Sequence, residues 1–297
     1  MVYKEKIFII GGTGNVGQAL VRSLLANPNV ALTLYARSPA KLQELFGEQT
    51  DEKVQVIQGD YVNQKPFEQA IPGHTRLFLL LQVPDFDYSN IARGFAEKAY
   101  DAGVKQIVIN SGITASMPWR STTYSGVPFE KAVLDIPNRK AVVTLRPANF
   151  MSNQLMPGGD ADNAKKSNMI FDTREPDQPN PWISPNDIGE LAANILQEPI
   201  EKHGDAVYEM IGDPRTPTEH AEILSRVLGK TITYQKISEE QLYEAMTKQG
   251  GLAHTVAYLY VYFGQYTSKR TPGLSILLGR QPETLEQWIV KNKSAFS

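Results

Sequence analysis

"IFIIGGTGNVGQALVRSLL", residues 7–25, runs from four apolar residues into a glycine cluster and out into a helical pattern. Val16, Ala19, Leu20 and Leu24 fall on one face at helical spacing, so the stretch reads as strand, tight turn and amphipathic helix. Gly12, Gly14 and Gly17 satisfy G-x-G-x-x-G, while Gly11, Gly14 and Gly17 equally satisfy G-x-x-G-x-x-G. The first glycines permit a sharp reversal, the middle one lets the backbone approach a pyrophosphate, and Gly17 lets the helix lie close to the strand. Free N–H groups of the first helical turn then meet the anion, aided by the helix dipole. Residues Gly11, Gly12, Thr13, Gly14, Asn15, Val16 and Gly17 are thereby nominated as a dinucleotide-phosphate cradle. A glycine motif alone is weak, but this one sits between a strand and a helix of a βαβ unit, which is the context it requires.

Outward from this turn the first half keeps the same rhythm. "VALTLYAR", "VQVIQGD", "TRLFLLLQ", "KQIVINSG" and "AVVTLRP" are short apolar runs ending in loop signals, and they read as strands of a parallel sheet. Helical patterns alternate with them at 15–26, 39–46, 65–71, 88–102 and 128–135. Regular βα alternation predicts an α/β fold with a doubly wound parallel (Rossmann) sheet. After about residue 150 prolines at 157, 176, 179, 181 and 185 break the rhythm. "SPNDIGELAANIL", "TPTEHAEILSRVLG" and "SEEQLYEAMTKQ" follow as helices, with Asn186 or Asp187, Thr218 and Ser238 as their expected caps and Gly229 as a stop. "DAVYEMIG" and "TITYQKI" are strand-like. The expected organisation is a Rossmann domain over 1–150 and a smaller mixed α/β subdomain over 151–297, with 187–212 returning to the Rossmann body.

The second strand identifies the nucleotide. About 20 residues past the glycines, where an NAD binder carries an acid for the ribose 2′-hydroxyl, this chain has Arg37 and Ser38. A guanidinium clamps a 2′-phosphate through charge-assisted bonds, so Arg37 predicts NADP(H). Asp60, ending the third strand in "IQGD", is placed either to meet the adenine amino group or to cap a helix.

Composition sets the outer bounds. The 297 residues carry a net charge of −2, 41% hydrophobic and 21% charged residues, so nothing points to a nucleic-acid or membrane-surface partner. Cysteine is absent, which removes disulfides, thiolate nucleophiles and cysteine-ligated zinc. His74, His203, His220 and His254 are scattered and predict no metal site, and no G-x-S-x-G elbow supports a serine hydrolase. The first apolar run ends at Gly11, too short for a signal-peptide core, and no stretch reads as a membrane span. A soluble, cytoplasmic protein, monomer or homodimer, acting on a small molecule is the expectation.

Taken in order, "IFIIGGTGNVG", "YARSPAKL", "LRPANFMSN", "NDIGELAANIL", "YEMIG", "TPTEHAEILSRVLGKTITY" and "LLGRQPETLEQWIVKNKSAF" resemble the NmrA-like family of atypical short-chain dehydrogenase/reductases. The resemblance implies a Rossmann domain binding NADP(H) and a C-terminal subdomain that forms a cleft with it. It implies that Pro147, Asn149 and Phe150 line the reactive end of the cofactor, with Leu81 and Gln82 passing along it. Members divide between reductases of small organic molecules and non-catalytic redox sensors that act through a protein partner.

Short-chain dehydrogenases usually donate a proton from tyrosine in a Y-x-x-x-K pair. Ser111 ends the fifth strand and Tyr124 follows thirteen residues later, a spacing typical of the Ser–Tyr pair. Four residues beyond Tyr124, however, stands Pro128, and Lys131 comes three residues later still. The ordinary relay is absent, and Tyr124 is the best remaining candidate donor. Hydride transfer itself needs positioning and exclusion of water more than a proton donor. The aromatic run with Tyr258, Tyr260, Tyr262, Phe263 and Tyr266, together with Met117 and Trp119, would suit a flat conjugated substrate or simple packing. The chain therefore reads first as an NADPH-dependent reductase of a quinone, imine or iminium, dye or activated alkene, and second as a redox sensor.

Overall fold

Residues 7–10 have no polar face to show to water, and they are fully buried in β1 (Glu5–Ile10) at the middle of a seven-stranded sheet. The structure, a computed structural model, describes residues 5–47, 53–81, 88–116, 126–263 and 269–297. The chain forms two compact units: Met1–Pro147 with Asn186–Glu209, and Ala148–Pro185 with Met210–Ser297.

The first unit carries β1, β2 (Val30–Ala36), β3 (Val54–Gln58), β4 (Arg76–Leu79), β5 (Gln106–Asn110) and β6 (Ala141–Pro147). The sheet order is β3-β2-β1-β4-β5-β6, followed by a later strand, Val207–Met210. Each pairing from β3 to β6 is parallel, with Ile7 opposite Leu32 on one side and Arg76 on the other. This is the doubly wound fold the alternation predicted. The order reverses between β1 and β4, and the crevice beyond that point is where such sheets bind ligands.

Helices α1 (Asn15–Leu25), α2 (Pro39–Phe46), α3 (Lys65–Ala70), α4 (Tyr88–Asp101) and α5 (Gly126–Leu134) connect the strands. Helix α5 starts two residues before the expected Pro128, which sits in its first turn, where a missing N–H costs nothing. One face of the sheet is sealed by Phe8, Tyr35, Phe67 and Phe95, whose rings meet at 4.8–6.1 Å, edge to face except for the tilted Phe8–Tyr35 pair.

The second unit carries β7 (Asn149–Phe150), β8 (Met169–Asp172) and β9 (Trp182–Ile183); β10 is the Val207–Met210 strand, and β11 (Thr233–Lys236) comes last. Pairs β7–β9 and β8–β11 are both parallel. Helix α6 (Asp160–Lys166) precedes β8, while α7 (Pro185–Gln197) and α8 (Ile200–His203) lie in the return to the first unit. Helices α9 (Pro217–Leu228), α10 (Glu239–Glu244), α11 (His254–Phe263), α12 (Leu274–Leu278) and α13 (Leu285–Lys291) complete the chain. Its core gathers Met151, Trp182, Leu224, Trp288 and Phe296.

Two caps are corrected. Helix α7 begins at Pro185, which places Asn186 and Asp187 inside its first turn instead of ahead of it. Thr216, not Thr218, begins α9: its Oγ1 accepts from the Glu219 backbone N–H, and Glu219 reciprocates in a capping box. Pro217 takes the first helical position, which forces the cap one residue upstream. Thr218 donates instead to the Pro176 carbonyl at 2.9 Å. Ser238 and Gly229 hold the expected positions, the latter left-handed at φ 71°. Among the described residues no helix is long and apolar enough to cross a membrane.

Candidate functional site

The glycine turn lies where β1 ends, at the switch point. Gly11 adopts φ +94°, and a Cβ there would stand 2.6 Å from the Leu80 carbonyl oxygen, so no larger residue fits. A Cβ on Gly17 would stand 2.1 Å from the Gly11 carbonyl oxygen, because α1 rests directly on the turn. Gly14 is different. As N-cap of α1 it makes no side-chain capping bond, and a Cβ there would meet only the Gly11 oxygen at 3.7 Å. Among the described residues, the space beside Gly14 at the start of α1 is therefore left open. Within the turn, Gln18 Nε2 donates to the Thr13 carbonyl at 3.1 Å, and Gln18 N–H closes the first helical bond on Gly14 at 2.8 Å. Asn15 and Val16 open α1, and Val16 is buried.

Arg37 follows the last residue of β2 and is exposed; among the described residues its guanidinium has no acid partner. Gln58 Nε2 donates to its backbone carbonyl at 3.4 Å, fixing the strand end beneath it. Ser38, also exposed, begins α2 without a side-chain capping bond, so its hydroxyl stays available beside Arg37. Asp60 has local work: its Oδ1 accepts from the N–H groups of Val62 at 2.8 Å and Asn63 at 2.6 Å. The helix-cap reading is corrected: Gln64 precedes α3, and Asp60 instead holds the turn ahead of it, where Tyr35 donates to the Asp60 carbonyl at 2.8 Å.

Further along the same edge, Leu81 is buried beyond β4 and its carbonyl accepts from Tyr88 Oη at 3.4 Å. Gln82 and Tyr124 lie outside the described residues, as do Met117, Trp119 and Tyr266. Lys131 is exposed on α5. Pro147 is buried at the end of β6. At the end of β5 Asn110 is 7% exposed and its Oδ1 has no hydrogen-bond partner among the described residues.

Ser111, the next residue, donates to Glu130 Oε1 at 2.6 Å. Arg146 grips both oxygens of that carboxylate, Nε to Oε1 at 2.9 Å and Nη2 to Oε2 at 2.6 Å, and reaches Ser116 Oγ at 3.2 Å. The bond to Glu130, opposed by burial and helped by the carboxylate charge, holds the Arg146 pKa above its ordinary value. The sequence reading missed Glu130, Arg146, Ser116 and Asn110. Two signals were present: a lone acid in the apolar "PFEKAVL" helix and a lone arginine inside the buried "AVVTLRP" strand.

In the second unit the amide of Asn149 is fully engaged, donating to Asn180 Oδ1 at 3.3 Å and accepting from Asn153 Nδ2 at 2.8 Å. Phe150 is half-buried at the end of β7. Tyr258 is 50% exposed, whereas Tyr260 turns inward toward Met156 Sδ at 3.7 Å, and burial raises its pKa. A cavity of about 20 Å³, room for little more than a water, is lined by Asp160, Asp172, Trp182, Arg215, His220 and Tyr234 among others. The histidines have structural partners: His74 Nε2 meets Thr33 Oγ1 at 2.8 Å, His203 bridges Glu198 and Tyr208, and His220 meets Gln154 at 2.8 Å.

The first unit thus offers a helix start without a side-chain cap, an open glycine and, among the described residues, a guanidinium without an acid and an orphaned buried amide oxygen, all at or just past carboxyl ends of parallel strands. These features fit a phosphorylated dinucleotide. The chain belongs to the NmrA-like family, whose model matches residues 3–292. An NAD(P)H azoreductase of Xenophilus azovorans is 27% identical over 298 residues, spanning 98% of this chain and 99% of its own. Prestalk A differentiation protein A of Dictyostelium discoideum is 26% identical over 293 residues, 96% of this chain and 91% of its own. The structure of the Escherichia coli NADPH-dependent quinone oxidoreductase QOR2 with NADPH matches at a TM-score of 0.81 and 26% identity, covering 97% of this chain and 99% of that one.

Proposed function

We propose that this chain is an NADPH-dependent reductase of a small conjugated or aromatic electrophile, working by direct hydride transfer without a tyrosine–lysine relay. The observation that carries the reading is the pairing, on one edge of one sheet, of an uncapped glycine turn with an exposed Arg37 that has no acid partner among the described residues. Two relatives that align across nearly the whole chain are named for NAD(P)H- or NADPH-dependent reduction, which supports it.

Residues 11–17 would hold the diphosphate through first-turn N–H groups, with Gly14 giving the backbone close approach. Arg37 and Ser38 would read the 2′-phosphate, the guanidinium by charge and the hydroxyl as a donor. Leu81 and Pro147 are apolar and suit the task of keeping water from the reacting carbon. When bound, the dihydronicotinamide supplies the hydride. A cationic acceptor needs no proton at that moment, and a neutral one takes its proton from water or from Tyr124. Pro128 replaces the relay lysine, and Lys131 is exposed.

The test is NADPH oxidation by the full chain, under nitrogen, against quinones, cationic dyes, imines and activated alkenes. Turnover of at least one class is expected. Tight NADPH binding with silence across the panel would turn the assignment to the redox sensor.

A further inference from the structure

The hydroxyl of Ser111 has a proton with a fixed destination. Glu130, paired with Arg146, is a carboxylate with nothing to donate, so across 2.6 Å Ser111 must be the donor. The acid cannot swing away: its side chain is 5% exposed, both oxygens are forked by Arg146, and Arg146 is itself braced on Ser116. Nor can the serine backbone move freely, because its N–H donates to the Leu145 carbonyl at 2.8 Å. Ser111 Oγ is left with lone pairs only, and among the described residues no donor reaches them. The residue is half-buried and follows the carboxyl end of β5, on the edge where such sheets hold ligands.

We propose that Glu130 is a positioning residue that makes Ser111 an obligate hydrogen-bond acceptor, so that the site favours electrophiles presenting an N–H there, protonated imines and amino-substituted dyes, over quinones that present only carbonyl oxygen. The proposal rests on the reductase reading and narrows its substrate classes. A carbonyl oxygen set against the serine lone pairs loses its water and gains no bond, whereas an N–H gains a bond strengthened by the carboxylate behind it. The chemistry agrees with the polarity. The iminium carbon takes the hydride, its C=N π pair moves to nitrogen, and amine and NADP⁺ are the products; no proton is asked of Ser111.

The experiment loads the full chain with NADP⁺ and titrates it calorimetrically with two matched, unreactive aromatics, 2-naphthylamine and 2-methoxynaphthalene. The wild type should bind the amine about tenfold more tightly. Ser111→Ala, which leaves the Glu130–Arg146 pair intact, should erase that preference. Glu130→Gln, whose amide can donate to Ser111 and free the hydroxyl proton, should shrink or invert it. In NADPH assays Ser111→Ala should lower kcat/KM for a cyclic iminium about tenfold and leave a quinone within twofold. Equal binding of the pair by the wild type, equal losses for both ligands in Ser111→Ala, or binding of neither would overturn the proposal. Absence of turnover, with the amine preference present and lost in Ser111→Ala, would instead overturn the reductase reading and leave the acceptor assignment standing.

Discussion

Gly14 and Gly17 stand three residues apart in one turn and should fail differently when given a methyl group. At Gly17 the methyl collides with backbone at 2.1 Å, so Gly17→Ala is expected to cost about 2–4 kcal/mol in urea unfolding as well as nucleotide affinity. At Gly14 nothing in the chain lies closer than 3.7 Å, so Gly14→Ala should unfold within about 1 kcal/mol of the wild type yet bind NADPH at least tenfold more weakly. A parallel loss of stability in both would mean the open space is not a binding cradle. Arg37→Ala should weaken NADPH about 10- to 100-fold and NADH less than about threefold, since a guanidinium–phosphate contact contributes a charged hydrogen bond or two. Equal losses for the two nucleotides would count against the 2′-phosphate role. Arg37 could be found from the linear chain because its distance from the glycines is fixed by one strand and one helix. Glu130 and Arg146 could not, since their meeting depends on how α5 lies across β6, which no spacing encodes. Asp60 could be read two ways because a carboxylate after a strand serves ligand and helix cap equally well; that it holds the turn before α3 depends on a loop path no spacing encodes.

The elements themselves were largely legible, for periodicity and punctuation act locally. The first five helices all end within a residue of expectation, and only α5 starts elsewhere, two residues ahead of Pro128, which its first turn accommodates. What periodicity does not report is the partner of a given helix. The one linear trace of such a partner is Gly189, a glycine inside the otherwise well-formed "SPNDIGELAANIL" helix. A Cβ there would come within 2.6 Å of the Leu20 nitrogen and the Val16 carbonyl oxygen, so α7 presses backbone to backbone against α1. Helix α1 is therefore clamped, with Gly17 against the turn and Gly189 against its flank. Gly189→Ala should cost about 2–4 kcal/mol in urea unfolding and also weaken NADPH, although it touches no nucleotide group. Unchanged NADPH affinity in a measurably destabilised variant would show that α1 keeps its place without α7.

At the scale of the molecule, one proton changes owner on folding. Gln154 Nε2 donates to the Met151 carbonyl, so its Oε1 faces His220, Nε2 of the ring carries the hydrogen, and Nδ1 offers a lone pair. Burial drives the His220 pKa from 6.5 down to about 3. Asp160, 4.0 Å from Nδ1, is pushed from 3.8 up to about 7 by burial and by the charge of Asp172. Between about pH 4 and 6.5 the unfolded chain keeps a proton on His220 and the folded one keeps it on Asp160, so the pair adds no slope to stability. Stability from Asp160 is lost as pH rises toward 7, and that from neutral His220 as pH falls toward 3. Asp160→Asn removes one side of the balance. Its stability should then fall with decreasing pH, relative to wild type, by about 1.4 kcal/mol per pH unit between pH 6 and 4.5. Parallel urea-derived profiles would refute the exchange. The return of Asn186–Glu209 to the first unit bears, finally, on synthesis. The glycine turn is translated some 170 residues before the helix that clamps α1, with a whole excursion into the other unit between them. A nascent or truncated 1–147 chain should remain protease-sensitive and blind to NADPH, whereas the same chain with 186–209 spliced on by a short linker should gain protection from it. Ligand competence is in this sense a late checkpoint on translation, reached only when a distant segment comes home.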